Sequence, residues 1–152
     1  MLKEKVAKII AASSILGLGI SIELLAGGAA VIMCSRKIAS TQEPASLIKC
    51  DAHYQRLYVT DANTVPESAR HGVERHKRGS NLVNNVGYNF DHKIRNKTFH
   101  KAVEGDFVKI IDVDLKGISM VLHGAIVASI ASEEFTSITD NAIAIQSGTV
   151  LP

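Results

Sequence analysis

The chain has 152 residues, of which 46% are hydrophobic and 21% are charged, and it contains two cysteines and no tryptophan. These values exclude a disordered protein, a collagen-like protein and a small disulfide-rich scaffold, and the length suits one domain with its own core. Because only 5% of the residues are aromatic, aliphatic side chains must fill most of that core.

An apolar segment runs from Val6 to Cys34 and contains one acidic residue, Glu23. Its length and the basic residues that flank it are typical of a transmembrane helix. An acid near the centre of such a helix costs about 3 kcal/mol, however, whereas each Ile or Leu returns only ~0.5 kcal/mol. A signal peptide is a second interpretation, with residues 1–8 as its charged start and 26–28 as its cleavage site.

The third interpretation is a soluble segment that divides at Gly17-Leu18-Gly19. Residues 2–16 then form an amphipathic helix, because their apolar side chains recur at helical spacing. Residues 20–24 and 30–34 form a hairpin in which Glu23 points outward. We favour this interpretation because it accounts for both the acid and the glycines.

The remainder of the chain is rich in short β-prone stretches. After a polar connection, strands are predicted at 46–50 and 54–60, and one or two helical turns at 68–77. The Asn- and Gly-rich stretch 78–90 predicts an extended surface loop. From Thr98 onward, further strands are predicted between turn residues. These strands are residues 108–113, 118–122, 125–130, 135–138 and 142–145.

These elements predict an α+β protein that is mainly β, with an N-terminal apolar helix followed by short antiparallel strands in a small barrel or sandwich. Residues 1–35 form the apolar helix and hairpin or, in the alternative, a membrane anchor. Residues 36–152 form the mainly-β domain, and residues 70–101 are its basic loop region.

The net charge of +2 is unevenly distributed: residues 70–101 hold eight Lys or Arg and two Asp or Glu, whereas residues 102–152 hold two and seven. Aromatic side chains within the basic stretch would suit stacking on nucleic-acid bases. A solvated loop, or a contact with the acidic third of a neighbouring subunit, explains the same charges and is preferred. The basic patch comprises Arg70, Arg75, Lys77, Arg78, Lys93, Arg95, Lys97 and Lys101.

Four residues have the side-chain types of zinc ligands, namely Cys50, His53, His71 and His76. Their spacing matches no standard zinc finger, so these residues are weak candidates and no metal site is predicted. Cys34 and Cys50 are expected to be buried thiols rather than a disulfide. The acids Asp112 and Asp114 would share the solvent face of a predicted strand.

The sequence shows no Gly-rich phosphate loop, no Ser-His-Asp order and no nucleophile elbow. We therefore predict a protein that is not an enzyme and needs no cofactor, a structural or assembly subunit of a larger oligomeric complex such as a phage or virus particle. Its partners would be further copies or other subunits, with an anionic partner or a membrane as further options. The alternatives are a single-pass membrane-anchored protein with a small β domain, and a metal- or nucleic-acid-binding module.

Overall fold

The computed structural model describes residues 2–37, 52–76, 81–88 and 98–130. Within these residues, four strands form one sheet in the order β3-β2-β1-β4, and every neighbouring pair is parallel. The strands are β1 (Val6–Ile10), β2 (Ala30–Ser35), β3 (Ala52–Arg56) and β4 (Asn81–Asn84). β1 lies in the interior of the sheet, where Ala7 pairs with Val31 on one side and with Asn81 on the other.

Helices connect and cover the strands, as parallel pairing requires. They are α1 (Ile15–Ala26), α2 (Thr64–His76), α3 (Glu104–Ile111) and α4 (Ile118–Ile130), with a short 3-10 turn at Phe99–Lys101. A π-helical turn at Asp112–Gly117 joins α3 to α4. α1 begins after Ser14, whose hydroxyl accepts a 3.0 Å hydrogen bond from the Gly17 N–H and caps the helix.

Two apolar layers lie on opposite faces of the sheet, because successive strand residues point to opposite sides. The α1 face is built around Ile9 and packs against α1; it comprises Ala7, Ile9, Ala12, Leu25, Ala29, Val31 and Met33. The α4 face is built around Ile10 and includes residues of α2 and α4; it comprises Val6, Ile10, Ile32, Cys34, Leu57, Val59, Val65 and Val121. An open groove between α2 and α4 borders this second layer and shares Val65 with it.

The α4 face also contains a buried polar cluster formed by Lys8, Ser68, Gln55 and Cys34. The ammonium of Lys8 donates to the carbonyl oxygen of Ser68 at 2.6 Å and to its hydroxyl at 2.7 Å. The Ser68 hydroxyl in turn donates to Gln55 Oε1 at 2.9 Å. Burial lowers the pKa of Lys8, an effect that the nearby Cys34 opposes, and burial raises the pKa of the Cys34 thiol.

The parallel sheet shows that the predicted small antiparallel barrel or sandwich is wrong. The predicted helix over 2–16 contains β1, the turn that follows it and only the first two residues of α1, and the predicted strand over 20–24 lies within α1. Strands buried on both faces carry continuous apolar runs instead of alternating ones, so β1 shows no strand periodicity. β2 includes the predicted strand 30–34, but it pairs parallel with β1 and forms no hairpin.

The C-terminal half is also helical where strands were predicted. Residues 108–113, 118–122 and 125–130 lie in α3, the π-turn and α4. Their β-branched residues favour strands by propensity alone, but packing against α2 and the sheet selects helices. The predicted strands at 46–50, 135–138 and 142–145 lie outside the described residues. Part of the predicted loop over 78–90 is β4.

No helix within the described ranges has the length and apolar character needed to cross a bilayer. Residues 6–34 form β1, α1 and β2, so the transmembrane interpretation of this run is wrong. The predicted division of the chain after residue 35 stays a prediction.

Candidate functional site

The sheet has a topological switch point between β1 and β4. From β1 the chain proceeds through β2 to β3 on one side, and β4 then pairs with β1 on the other side. In open parallel sheets, ligands bind in the crevice outside the carboxyl ends of the strands at such a point. Here the crevice lies between the β1–α1 turn, residues 11–14, and the segment after β4, residues 85–88.

A side chain from each turn holds the two walls of this crevice together. Asn85 Nδ2 donates to the carbonyl oxygen of Ala11 at 3.3 Å and to the hydroxyl of Ser14 at 2.9 Å. The Ala12 N–H donates to the carbonyl oxygen of Cys34 at 2.9 Å. The β1–α1 turn is therefore fixed by β2 on one side and by the residue that follows β4 on the other.

The N-terminus of α1 opens into the crevice, and its N–H groups and dipole favour an anion. In dinucleotide-binding sheets of this strand order, three glycines serve this junction. The first makes the tight turn, the second lets the pyrophosphate approach the backbone, and the third allows close packing of helix and strand.

This chain meets the third glycine requirement but replaces the first two glycines. A Cβ on Gly17 would collide with the carbonyl oxygen of Ala11 and lie 2.6 Å from Asn85 Nδ2, so close packing requires glycine there. Ala11 makes the tight turn at φ 58°, a conformation that favours glycine. Ile15 is the first residue of α1, and its side chain is 96% exposed. The residues thus fit a dinucleotide at the helix packing and not at the pyrophosphate.

The carboxyl end of β2 is basic, where an acidic residue would bind the ribose hydroxyl of NAD. β2 ends at Ser35, and the exposed residues Arg36 and Lys37 follow it. At the end of β3, the Arg56 guanidinium donates to the Tyr58 hydroxyl at 3.0 Å and lies 5.0 Å from the ring centroid. This hydrogen bond and the charge of Arg56 lower the pKa of Tyr58, with smaller contributions from Arg36 and Lys37. We call Arg36, Lys37 and Arg56 the basic rim.

Two polar side chains lie near the end of β4. Asn84 Oδ1 is buried and has no hydrogen-bond donor among the residues that the structure describes, and such an acceptor requires an explanation. Asp114 Oδ1 accepts a 2.5 Å hydrogen bond from the Tyr88 N–H. Asp114 lies in the π-turn, so this contact connects the α3–α4 junction to the segment after β4. π-turns are frequent at functional sites.

The structure brings together only one pair of the predicted metal candidates. The rings of His53 and His71 stack with centroids 5.9 Å apart. Cys50 lies outside the described residues, and the side chain of His76 is not described. Over the ranges that are described, no three His, Cys, Asp or Glu side chains are grouped to hold a metal ion. Cys34 is a buried free thiol.

The basic patch predicted at 70–101 is not tested by the structure. Arg70 lies exposed on α2 and Lys101 in the 3-10 turn, whereas the side chain of Arg75 is not described. The other members, Lys77, Arg78, Lys93, Arg95 and Lys97, lie outside the described residues.

Sequence reasoning missed the residues that form the crevice, chiefly Ser14, Asn85 and the basic rim. One available signal was Ser14, which follows the apolar run of β1 and precedes α1. A hydroxyl residue at this place is typical of a helix N-cap. The other was Arg36-Lys37 one residue after the apolar stretch 30–34, which is where a ribose-binding residue lies in a βαβ unit.

Comparison with known proteins points to one enzyme family. The family described as short chain dehydrogenase matches residues 5–138. A metagenomic short-chain oxidoreductase in complex with NADP is similar in structure, with a TM-score of 0.75 and 23% identity over 88% of this chain and 60% of that one. No curated protein sequence matches the chain.

Two further solved structures show the same fold. A dehydrogenase/reductase from Sinorhizobium meliloti has a TM-score of 0.71 and 24% identity. The match covers 82% of this chain and 49% of the S. meliloti chain. An actinorhodin polyketide ketoreductase variant with NADPH has a TM-score of 0.73 and 21% identity, covering 84% and 49%. The chain thus spans about half the length of these two structures.

These matches correct the functional predictions made from the sequence. The predictions of a structural subunit of a phage or virus particle and of a protein that is not an enzyme are wrong, because the matching family is one of oxidoreductases. The alternatives of a membrane-anchored β domain and of a metal- or nucleic-acid-binding module fail on the same finding and on the parallel sheet. The expectation that no cofactor is needed rested on the absence of a recognisable glycine motif in the sequence. In this chain, Ala11 and Ile15 occupy two of the three glycine positions.

Proposed function

Because the chain belongs to the short chain dehydrogenase family, we propose that it provides the nucleotide-binding half of an oxidoreductase that uses NADP(H). The nicotinamide of such a cofactor accepts a hydride from a hydroxyl-bearing carbon or returns one to a carbonyl carbon. The observation that carries the proposal is the switch-point crevice with the basic rim at its β2 side.

The basic rim favours the phosphorylated form of the cofactor. An acidic residue at the end of β2 selects the free ribose hydroxyl of NAD, whereas an arginine nearby accommodates the 2′-phosphate of NADP. In this chain the positions directly after β2 are Arg36 and Lys37. Hydrogen bonds to charged groups contribute about 1.5–3 kcal/mol each, so one such contact corresponds to a preference of roughly ten- to a hundredfold.

The turn residues support this assignment by fixing the two walls of the crevice relative to each other. Asn85 links Ala11 to Ser14, and the Ser14 hydroxyl orients the first turn of α1 through Gly17. Asn84 Oδ1 offers a buried acceptor at the β4 side. Together the Asn85 and Ser14 contacts position the walls of the crevice.

Isothermal titration of the chain with NADP⁺ and NAD⁺ tests the proposal. We expect NADP⁺ to bind more tightly, and Arg36→Ala to weaken NADP⁺ binding by at least about tenfold while leaving NAD⁺ binding unchanged. Lys5→Ala is the matched control, because Lys5 is an exposed cation at the opposite, amino edge of β1. Equal affinity for the two cofactors, or the same loss in both variants, contradicts the role of the basic rim.

A further inference from the structure

We infer that Ile15 limits how closely the pyrophosphate of the cofactor can approach the N-terminus of α1. The chain therefore binds NADP(H) less tightly than the same fold with glycine at this position. This inference rests on the proposed function, and it concerns the position where the crevice departs from what the pyrophosphate of a dinucleotide requires.

The position of Ile15 explains the effect. It is the first residue of α1 and directly follows the capping residue Ser14. An anion bound here must reach the N–H groups of the first helical turn. A glycine leaves that backbone bare, whereas isoleucine places a branched side chain beside it. Leu16, the next residue, is itself 42% exposed, so the surface of the first turn of α1 is apolar at these two positions.

Folding gives no reason for isoleucine at this position. The Ile15 side chain is 96% exposed, so it gains almost nothing from removal of apolar surface from water. A β-branched residue is also a poorer helix former than most alternatives. The side chain therefore contributes nothing to the two apolar layers, and its effect falls on whatever enters the crevice.

The turn itself keeps the conformation that a glycine would give it. Ala11 adopts φ 58° without a glycine. It is held there by Asn85 through its carbonyl oxygen and by the Ser14 N–H, which donates to the same oxygen at 3.1 Å. Because the backbone already has the required shape, replacing Ile15 alone is expected to open the approach to the helix.

Two ligands separate this inference from the proposed function. NADP⁺ carries both the 2′-phosphate and the pyrophosphate, whereas adenosine 2′-monophosphate carries only the former. We expect Ile15→Gly to tighten NADP⁺ binding by at least about tenfold, to leave adenosine 2′-monophosphate binding unchanged, and Ile15→Ala to fall between. Both are measured as dissociation constants by isothermal titration, with thermal unfolding to verify that each variant is folded.

Val103→Gly is the matched control, since Val103 is an exposed apolar residue at the N-terminus of α3 and the change removes a branched side chain there as well. Unchanged NADP⁺ affinity in Ile15→Gly, with adenosine 2′-monophosphate still bound, overturns the inference and leaves the proposed function standing. An equal gain in Val103→Gly also overturns it. Failure of wild type and variants to bind either ligand overturns both.

Discussion

The two faces of the sheet differ in how they bury polar groups, although the same strand contributes to both. On the α1 face, Ile9 packs among aliphatic side chains, and the buried Ser21 hydroxyl donates locally to the Gly17 carbonyl oxygen at 2.7 Å. On the α4 face, the adjacent residue Lys8 has its ammonium buried against Ser68. Alternate positions of β1 therefore meet a dry layer and a polar one, and substitutions in them should have different consequences.

The largest expected effect comes from truncating the two isoleucines of β1. Ile9 and Ile10 are adjacent, are 0% and 2% exposed, and point to opposite faces. Loss of such a side chain costs about 2–5 kcal/mol, depending on how far the surroundings collapse. We expect Ile9→Ala near the upper end, because close packing surrounds it, and Ile10→Ala near the lower end, because the groove beside Val65 lets α2 and α4 shift.

Urea denaturation of both variants and the wild type gives the two changes in the free energy of unfolding. Because the residue type and the strand are the same, the difference between the variants reports only the two layers. A larger loss in Ile10→Ala than in Ile9→Ala would show that the α4 face is the more rigid one.

A second effect tests the close packing of α1 on the β1–α1 turn. Gly17→Ala places a methyl group against the Ala11 backbone, and overpacking of this kind destabilises by about 1–3 kcal/mol. Gly19→Ala is the control within the same helix, since nothing lies within 4 Å of its added methyl group. Alanine there should stabilise the helix by roughly 0.5–1 kcal/mol. Thermal unfolding measures both, and changes of the same sign contradict the packing argument.

The smallest and most specific effect is the pH dependence due to Lys8. Since burial lowers its pKa in the folded state below the ordinary 10.5, the unfolded chain binds more protons between the two values, and stability rises with pH there. Lys8→Met removes this contribution. We therefore expect the free energy of unfolding of the variant, minus that of the wild type, to fall as pH rises toward 10.5.

Cys34 acts in the opposite direction. Its pKa is raised by burial above the ordinary 9.0, so above that pH the unfolded thiol ionises first and stability is lost. The charge of Lys8 lowers the pKa of Cys34, so this loss is not the same in wild type and Lys8→Met. The comparison is therefore made in a Cys34→Ala background, where the difference between Lys8 and Met isolates Lys8. Denaturation curves at several pH values from 7 upward give this difference in the free energy of unfolding. A difference that is constant with pH contradicts the burial of a charged Lys8.

Only part of this fold can be predicted from the sequence, and β1 shows why. Val6, Ile9 and Ile10 have helical spacing by coincidence, because a strand buried on both faces carries apolar residues on both sides, and only Lys8 interrupts the run in β1. What decides between helix and strand is pairing with Asn81–Asn84, which are far along the chain. The strand at 30–34 was located correctly because Gly27-Gly28 precedes it and a polar stretch follows.

The helices after residue 103 were missed for a related reason. Val108 and Val113 favour strands by local propensity, whereas the observed structure depends on tertiary packing. A Cβ on Gly117 would lie 2.7 Å from Val59 Cγ2, so the π-turn closely approaches the segment that follows β3. No local pattern reports that contact.

The candidate site was hidden because its motif is altered. The first two glycines of the expected pattern are Ala11 and Ile15, so only Gly17 remained as a signal, and it was interpreted as a helix end. Arg36 and Lys37 were seen only as the flank of an apolar run. The buried acceptor of Asn84 and the contact between Asp114 and Tyr88 depend on the three-dimensional arrangement alone.

The interior position of β1 has a consequence for the order in which the fold can form. β1, α1 and β2 are contiguous in the chain, so β1 and β2 can pair as soon as residue 35 has emerged from the ribosome. The other edge of β1 must wait for β4, whose Asn81 side chain donates to Val6 across 75 residues of chain. Since closing long loops slows folding, β1 keeps an unpaired edge at least until the residues of β4 have been synthesised. Edges of this kind bind other strands readily, so this interval is when the protein is most exposed to misassembly.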